Sequence, residues 1–340
     1  MSKKKYIIKW LDISLFVLCF MVVVGGVTRL TDSGLSITDW KPIMGAIPPL
    51  SLSEWEESFD KYKKYPEYKM YNSSMSLEDY KSIFLWEYLH RMLGRIIGLL
   101  FIIPFSFFCF KQYLDKEYMK KFLLLLLLGI MQAFMGWYMV KSGLVDSPDI
   151  SHFRLALHLL LAFIIIAYTY KIRLFLAYDK KNKINNYTYY NIFVNVILLI
   201  FFVQVVYGAF SAAVKAGHFW NTYPFINGYY IPPESFKMKP FWLNLLYDDK
   251  SFQLIHRNLG ILLVGVISFF CYQIKENVNK INFQIIQYFM LTICCQFILG
   301  VLTLISKTGL ILALFHQFLA LILLLLIIKV KHSLRYSIDV

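Results

Sequence analysis

Apolar residues gather in this chain into runs of about 20, the length a helix needs to cross the hydrocarbon core of a bilayer. The pattern predicts eight spans, at about 11–29, 83–110, 120–140, 152–173, 189–210, 253–274, 284–305 and 309–329. The connections between spans two and three, four and five, and six and seven carry the positive charge. They hold Lys111, Lys116, Lys120 and Lys121; Lys171, Arg173, Lys180, Lys181 and Lys183; and Lys275 and Lys280. Short basic connections stay on the cytoplasmic side. Both termini are therefore expected in the cytoplasm, with two long loops, about 30–82 and 211–252, on the outside.

The loops have their own texture. Residues 25–36 read Gly-Gly-Val-Thr-Arg-Leu-Thr-Asp-Ser-Gly-Leu-Ser and lead to Trp40, Pro42, Gly45, Pro48 and Pro49, a density of turn-forming residues that marks shaped, non-helical backbone. Ser53 and Glu56 have capping-box spacing, and Trp55, Phe59 and Tyr62 follow at helical intervals. These predict a short amphipathic helix at the membrane interface. The second loop carries Phe219, Trp220, Tyr223, Phe225, Tyr229 and Tyr230 before Pro232 and Pro233, the composition of an aromatic belt or of a lid over an apolar ligand.

Composition agrees with the pattern. Of 340 residues 58% are hydrophobic, and the mean hydropathy is +0.55, far from the balance of a soluble domain. The net charge of +14 resides between the apolar runs, so it reports topology rather than a nucleic-acid partner. Cys19, Cys109, Cys271, Cys294 and Cys295 lie in or at the ends of apolar runs without metal-type spacing, and no disulfide is expected. Lys3, Lys4 and Lys5 precede a run that lacks a small-residue cleavage site. A retained first helix fits better than a signal peptide.

The chemistry sits in a repeat. Glu87-Tyr-Leu-His90-Arg91-Met-Leu93-Gly94-Arg95 is echoed by Gln253-Leu-Ile-His256-Arg257-Asn-Leu259-Gly260, each copy near the start of a span. Gln132-x-x-x-Gly136 is matched by Gln296-x-x-x-Gly300, and His158 by His316. The fold expected is an all-α polytopic membrane protein, eight transmembrane helices arranged as two repeated four-helix bundles, 1–180 and 181–340. Each half places one histidine on its second helix and one on its fourth, all about two turns below the outer surface. An intramembrane histidine is a functional candidate by default, and two on facing helices can supply both axial ligands of a haem. The glycine one turn after His90 or His256 leaves room on the same face for a flat group. Zinc fits less well, because the Cys or carboxylate partners it favours are absent. His152, His218 and His332 lie near the surface, in a loop and in the tail.

The signature at 25–36, the Glu-x-x-His-Arg-x-x-Gly-Arg run at 87–95 and the four-histidine, two-half layout make the chain similar to the haem A synthase family. That resemblance covers nearly the whole chain. It implies an inner-membrane enzyme that converts haem O to haem A for cytochrome oxidase, by two successive hydroxylations of the C8 methyl group and loss of water from the diol. It assigns a haem b cofactor, ligated by His256 and His316, to the C-terminal half, and the substrate haem to His90 and His158 in the N-terminal half. Some family members carry paired cysteines in the outer loops; this chain has none, so no redox role for such a pair is carried over. The partners implied are haem O, an electron donor and the bilayer; docking of the haem O synthase and a homo-oligomer are both allowed.

Two residue types add to this. Glu87 is replaced by Gln253 in the other copy, and a carboxylate three residues before His90 lies near whatever that histidine binds, placed for proton delivery or charge stabilisation; a helix-start carboxylate favouring the dipole is the plainer reading. Arg29, Arg91, Arg95, Arg154 and Arg257 are suited to haem propionates or, equally, to lipid phosphates. Two other functions share the four histidines: a dihaem electron-transfer cytochrome, which normally sets its haems at opposite membrane faces, and a non-enzymatic haem-handling protein. Extracted pigment discriminates among them.

Overall fold

Eight helices among the described residues of a computed structural model are long and apolar enough to cross a bilayer. Described are residues 3–39, 44–145, 148–178, 188–233, 235–275 and 280–335; Trp40, Pro42, Lys180, Lys181 and Lys183 lie outside them. In chain order the helices are α1 (Lys3–Leu30), α2 (Leu52–Tyr62), α3 (Pro66–Tyr71), α4 (Leu77–Phe110), α5 (Lys116–Gly143), α6 (His152–Ala177), α7 (Thr188–Ala213), α8 (Ala216–Phe219), α9 (Trp242–Tyr247), α10 (Asp249–Ile274), α11 (Lys280–Ile305) and α12 (Leu310–Arg335). α1, α4, α5, α6, α7, α10, α11 and α12 are the spans. Each contains the apolar run expected for it. The chain is a multi-pass membrane protein.

Two compact units are formed, residues 16–154 and residues 1–15 with 155–340. In the first, α4 begins at Leu77, ahead of its apolar run, because Ser76 and Asp79 form a capping box that starts the helix in polar sequence. Its 34 residues reach about 50 Å at 1.5 Å per residue, beyond the roughly 30 Å of a hydrocarbon core. The surplus turns carry Tyr80 and Phe84, which pack with Phe59 and Tyr62 of α2. Tyr80 stacks on Phe59 at 4.9 Å and on Tyr62 at 5.2 Å between centroids. The apolar face of α2 is thus covered by protein instead of lying free for the lipid interface. Its cap also differs from expectation: Ser51 and Glu54 form the box, since the Glu54 carboxylate accepts the N–H groups of Leu50 and Ser51 at 2.7 and 3.2 Å, while the Ser53 hydroxyl pairs with that of Ser51.

In the second unit α7, α10, α11 and α12 pack as a ring, each against two neighbours. Four helices so arranged leave a shared axis lined by inward side chains. At one end Phe270 packs on Phe193 and Phe289, and Leu321, Leu324 and Ile327 of α12 are fully buried. At the other end Phe210 and Phe252 are 4.9 Å apart and pack with Ala156 and Ala209. The α1 segment in this unit is tied to α6 by Arg173, which donates to Asp12 at 2.8 Å.

Candidate functional site

In the 16–154 unit, α1 ends where Asp32 takes a left-handed φ of +48°, letting Ser33 N–H reach Thr28 C=O at 2.9 Å and Asp32 N–H reach Arg29 C=O at 3.4 Å. This is the paired closure of a Schellman turn, and it explains the polar residues after Thr28. Thr31 secures the turn by donating to Val27 C=O at 2.8 Å. The chain then runs back to the helices: buried Leu35 fills the notch left by Gly143, where a Cβ would stand 2.9 Å from its Cδ2.

Glu87 receives the next two residues. It is only 3% exposed. One carboxylate oxygen accepts the Ser36 hydroxyl at 2.7 Å and the Ile37 N–H at 2.8 Å, and the other accepts Nη2 of Arg91 at 2.6 Å. Arg91 also donates to the carbonyls of Ile37 at 2.8 Å and Asp39 at 3.4 Å. Glu87 lies ten residues inside α4, so it is a buried clasp on the loop that follows α1 and not a helix-start carboxylate. One turn deeper, a Cβ on Gly25 of α1 would stand 2.9 Å from Cε1 of His90, and one on Gly94 would stand 3.8 Å from Cε of Met21.

The bundle of the second unit repeats that arrangement twice. His256 on α10 lies against Gly208 of α7, and His316 on α12 against Gly300 of α11; in each case a Cβ would stand 2.9 Å from the ring's Cε1. Nδ1 of His256 is 3.2 Å from Gln204 C=O, and Nε2 is 3.5 Å from Nε2 of the same glutamine. Gln296 stands at 3.5 Å from Nε2 of His316 in the same way. α10 and α12 stand opposite each other in the ring, each carrying one of the two histidines. Arg257, next to His256, donates through Nη2 to Trp220 C=O at 2.7 Å. Its Nε and Nη1 are buried with no hydrogen-bond partner among the described residues.

The other expected residues are placed as follows. His158 is on α6, in the unit with His256 and His316, whereas His90 and Glu87 belong to the other. His218 is 3.0 Å from the Thr308 hydroxyl, and His332 packs between Phe175 and Tyr178. Arg29 pairs with Asp32 at 3.0 Å, Arg154 lies 4.7 Å over the Tyr138 ring, and Arg91 and Arg95 line one open groove with Asp39, Glu54 and Lys61. The five cysteines are free thiols.

No three His, Cys, Asp or Glu side chains converge on a metal-sized site among the described residues. Two imidazoles on opposite helices of one bundle nonetheless suit a metal that brings its own equatorial ligands, as the iron of a haem does. The close glycines seat each ring, and the buried, unsatisfied guanidinium beside His256 matches a carboxylate on the rim of such a group. These residues fit a haem.

The family whose description reads cytochrome oxidase assembly protein matches residues 8–328. A "Heme A synthase" of Flavobacterium psychrophilum is 42% identical over 95% of this chain and 96% of its own length. One from Wolbachia pipientis wMel is 40% identical over 92% and 88%, and one from Flavobacterium johnsoniae 40% over 98% and 99%. The chain belongs to the haem A synthase family. Within this haem A synthase family member, sequence reading finds the histidines but overlooks the glycines that seat them. The available signal is Gln204-x-x-x-Gly208, a third copy of the spacing seen at 132–136 and 296–300. At the corresponding place on α1 stands Met21-x-x-x-Gly25, so at this position the glycine is kept in both halves while the glutamine stands only on α7.

Proposed function

We propose that this chain is a haem A synthase, oxidising the C8 methyl group of haem O to a formyl group by two successive hydroxylations and loss of water from the diol. The carrying observation is the pair His256 and His316, on facing helices of one bundle, each ring seated on a glycine of the neighbouring helix. Relatives of the same length and about 40% identity bear the name of that activity. When bound, haem b at this pair supplies one-electron redox chemistry that no side chain here provides. Gln204 and Gln296 hold the two rings in position, and the apolar bundle excludes water around them.

His90 and His158 face the substrate haem in this reading. Glu87 serves that site, fixing the first outer loop to α4 one turn above His90 and holding a carboxylate near the reacting edge for proton transfer. The basic positions, with Lys111 between α4 and α5, Lys121 early in α5 and Lys171 and Arg173 late in α6, support cytoplasmic termini and outer loops 30–82 and 211–252 in the inner membrane. The reaction needs haem O and an electron donor as partners. Pigment extracted from the purified protein tests the reading. Haem B together with haem O, an alcohol intermediate or haem A supports it; haem B alone, at two per chain, makes the protein a dihaem cytochrome instead.

A further inference from the structure

The His-Arg pair occurs twice, and its two arginines are used differently. Arg91 is neutralised inside its own helix by Glu87 at 2.6 Å and held by the Ile37 carbonyl at 2.8 Å. Arg257 has the uncharged Gln253 at the position of Glu87, and Gln253 is itself buried. The Arg257 guanidinium makes one bond, to Trp220 C=O, and keeps buried Nε and Nη1 donors with no partner among the described residues. A buried guanidinium with unsatisfied donors calls for an anion with two acceptor oxygens. A lipid phosphate is a poor candidate, because those two nitrogens are shut off from the surface.

We propose that the residue three before each histidine decides which half retains its haem: Gln253 leaves Arg257 to clamp a haem propionate beside His256, whereas Glu87 withdraws Arg91 and leaves the haem at His90 exchangeable. This rests on the reading that His256 ligates a haem. Arg257 is one residue from that ligand, on the same helical turn, and a propionate at the rim of the porphyrin carries the charge and the paired oxygens that a guanidinium fork accepts. In the N-terminal half the same fork already holds a carboxylate and a carbonyl, so a substrate propionate gains little from it. Retention and exchange then differ by one ionisable group.

The test uses the full-length protein, purified in detergent with its pigment, and follows haem transfer to excess apomyoglobin. Gln253→Glu should capture Arg257 and speed haem loss about tenfold, the effect of one charge-assisted hydrogen bond, with the low-spin spectrum unchanged before transfer. Glu87→Gln should act in the opposite sense, raising the haem content of the exchangeable site. Arg257→Gln carries the same expectation as Gln253→Glu and replaces it should that chain not fold. Wild-type release from both Gln253→Glu and Arg257→Gln overturns the proposal and returns Arg257 to a structural role. The ligand reading fails separately: a low-spin spectrum that survives in His256→Ala, with fast release from Arg257→Gln, would sink the ligand and uphold the clamp.

Discussion

The imidazole of His316 rests on Gly300 so closely that a Cβ there would stand 2.9 Å from Cε1. His256 and Gly208 repeat the relationship to the same distance. Real Cβ atoms do not approach that near, so Gly300→Ala or Gly208→Ala must turn the ring or part the helices. Overpacking of this kind costs about 1–3 kcal/mol. Either variant should broaden or shift the low-spin haem spectrum, and an unchanged spectrum at full haem content would show that the rings need no glycine seat.

His256→Ala and His316→Ala each remove one proposed axial ligand. The low-spin spectrum should disappear or fall to a small fraction of wild type in both, because bis-imidazole coordination needs both rings. A normal optical spectrum and haem content in the two purified variants would refute the assignment.

The proposed substrate site at His90 is expected to release its haem, since a substrate enters and leaves. Purified protein should carry less than one haem there, and His90→Ala or His158→Ala should lower pigment turnover while leaving the His256 and His316 spectrum intact. Two haems per chain, surviving prolonged washing in every preparation, would contradict this.

Glu87→Gln keeps the shape of the clasp and removes its charge. The weakened bonds to Arg91, Ser36 and Ile37 should cost about 1–3 kcal/mol, loosen the loop after α1 to proteases, and stall the pigment at haem O or an early hydroxylated form. Wild-type haem A yield from this variant would leave Glu87 a structural residue.

The cap of α2 is sensitive to acid. The N–H groups of Leu50 and Ser51 hold the Glu54 carboxyl below its ordinary pKa of 4.5, so its contribution is complete above that value and is lost as pH falls through the lower, folded one. Amide protection over residues 50–55, relative to the intrinsic exchange rate at each pH, should fall below pH 4.5 and stay level between pH 5 and pH 7. Ser51→Ala should lower that protection at every pH, by roughly 1 kcal/mol of helix stability.

The sequence by itself determined the eight spans, the amphipathic α2 and the register of His90, His158, His256 and His316, because hydropathy and helical spacing are local and accumulate along the chain. It located Glu87 as the point where the repeat breaks. Start positions were less legible: the α4 helix is launched from Ser76 and Asp79 by two hydrogen bonds that leave no trace in an apolar count, and the α2 cap fell to Ser51 and Glu54, two residues before the Ser53 and Glu56 that the spacing suggested. Only the tertiary structure decided which glycine faces which histidine, for it fell to Gly25, Gly208 and Gly300 on neighbouring helices and not to Gly94 or Gly260 on the histidines' own. It alone gave Glu87 its partners, 50 and 51 residues away in Ile37 and Ser36, and left Arg257 with unsatisfied donors. Such contacts depend on how each helix is rotated about its axis and on what a distant segment brings against it, and neither is written in the periodicity of a single run.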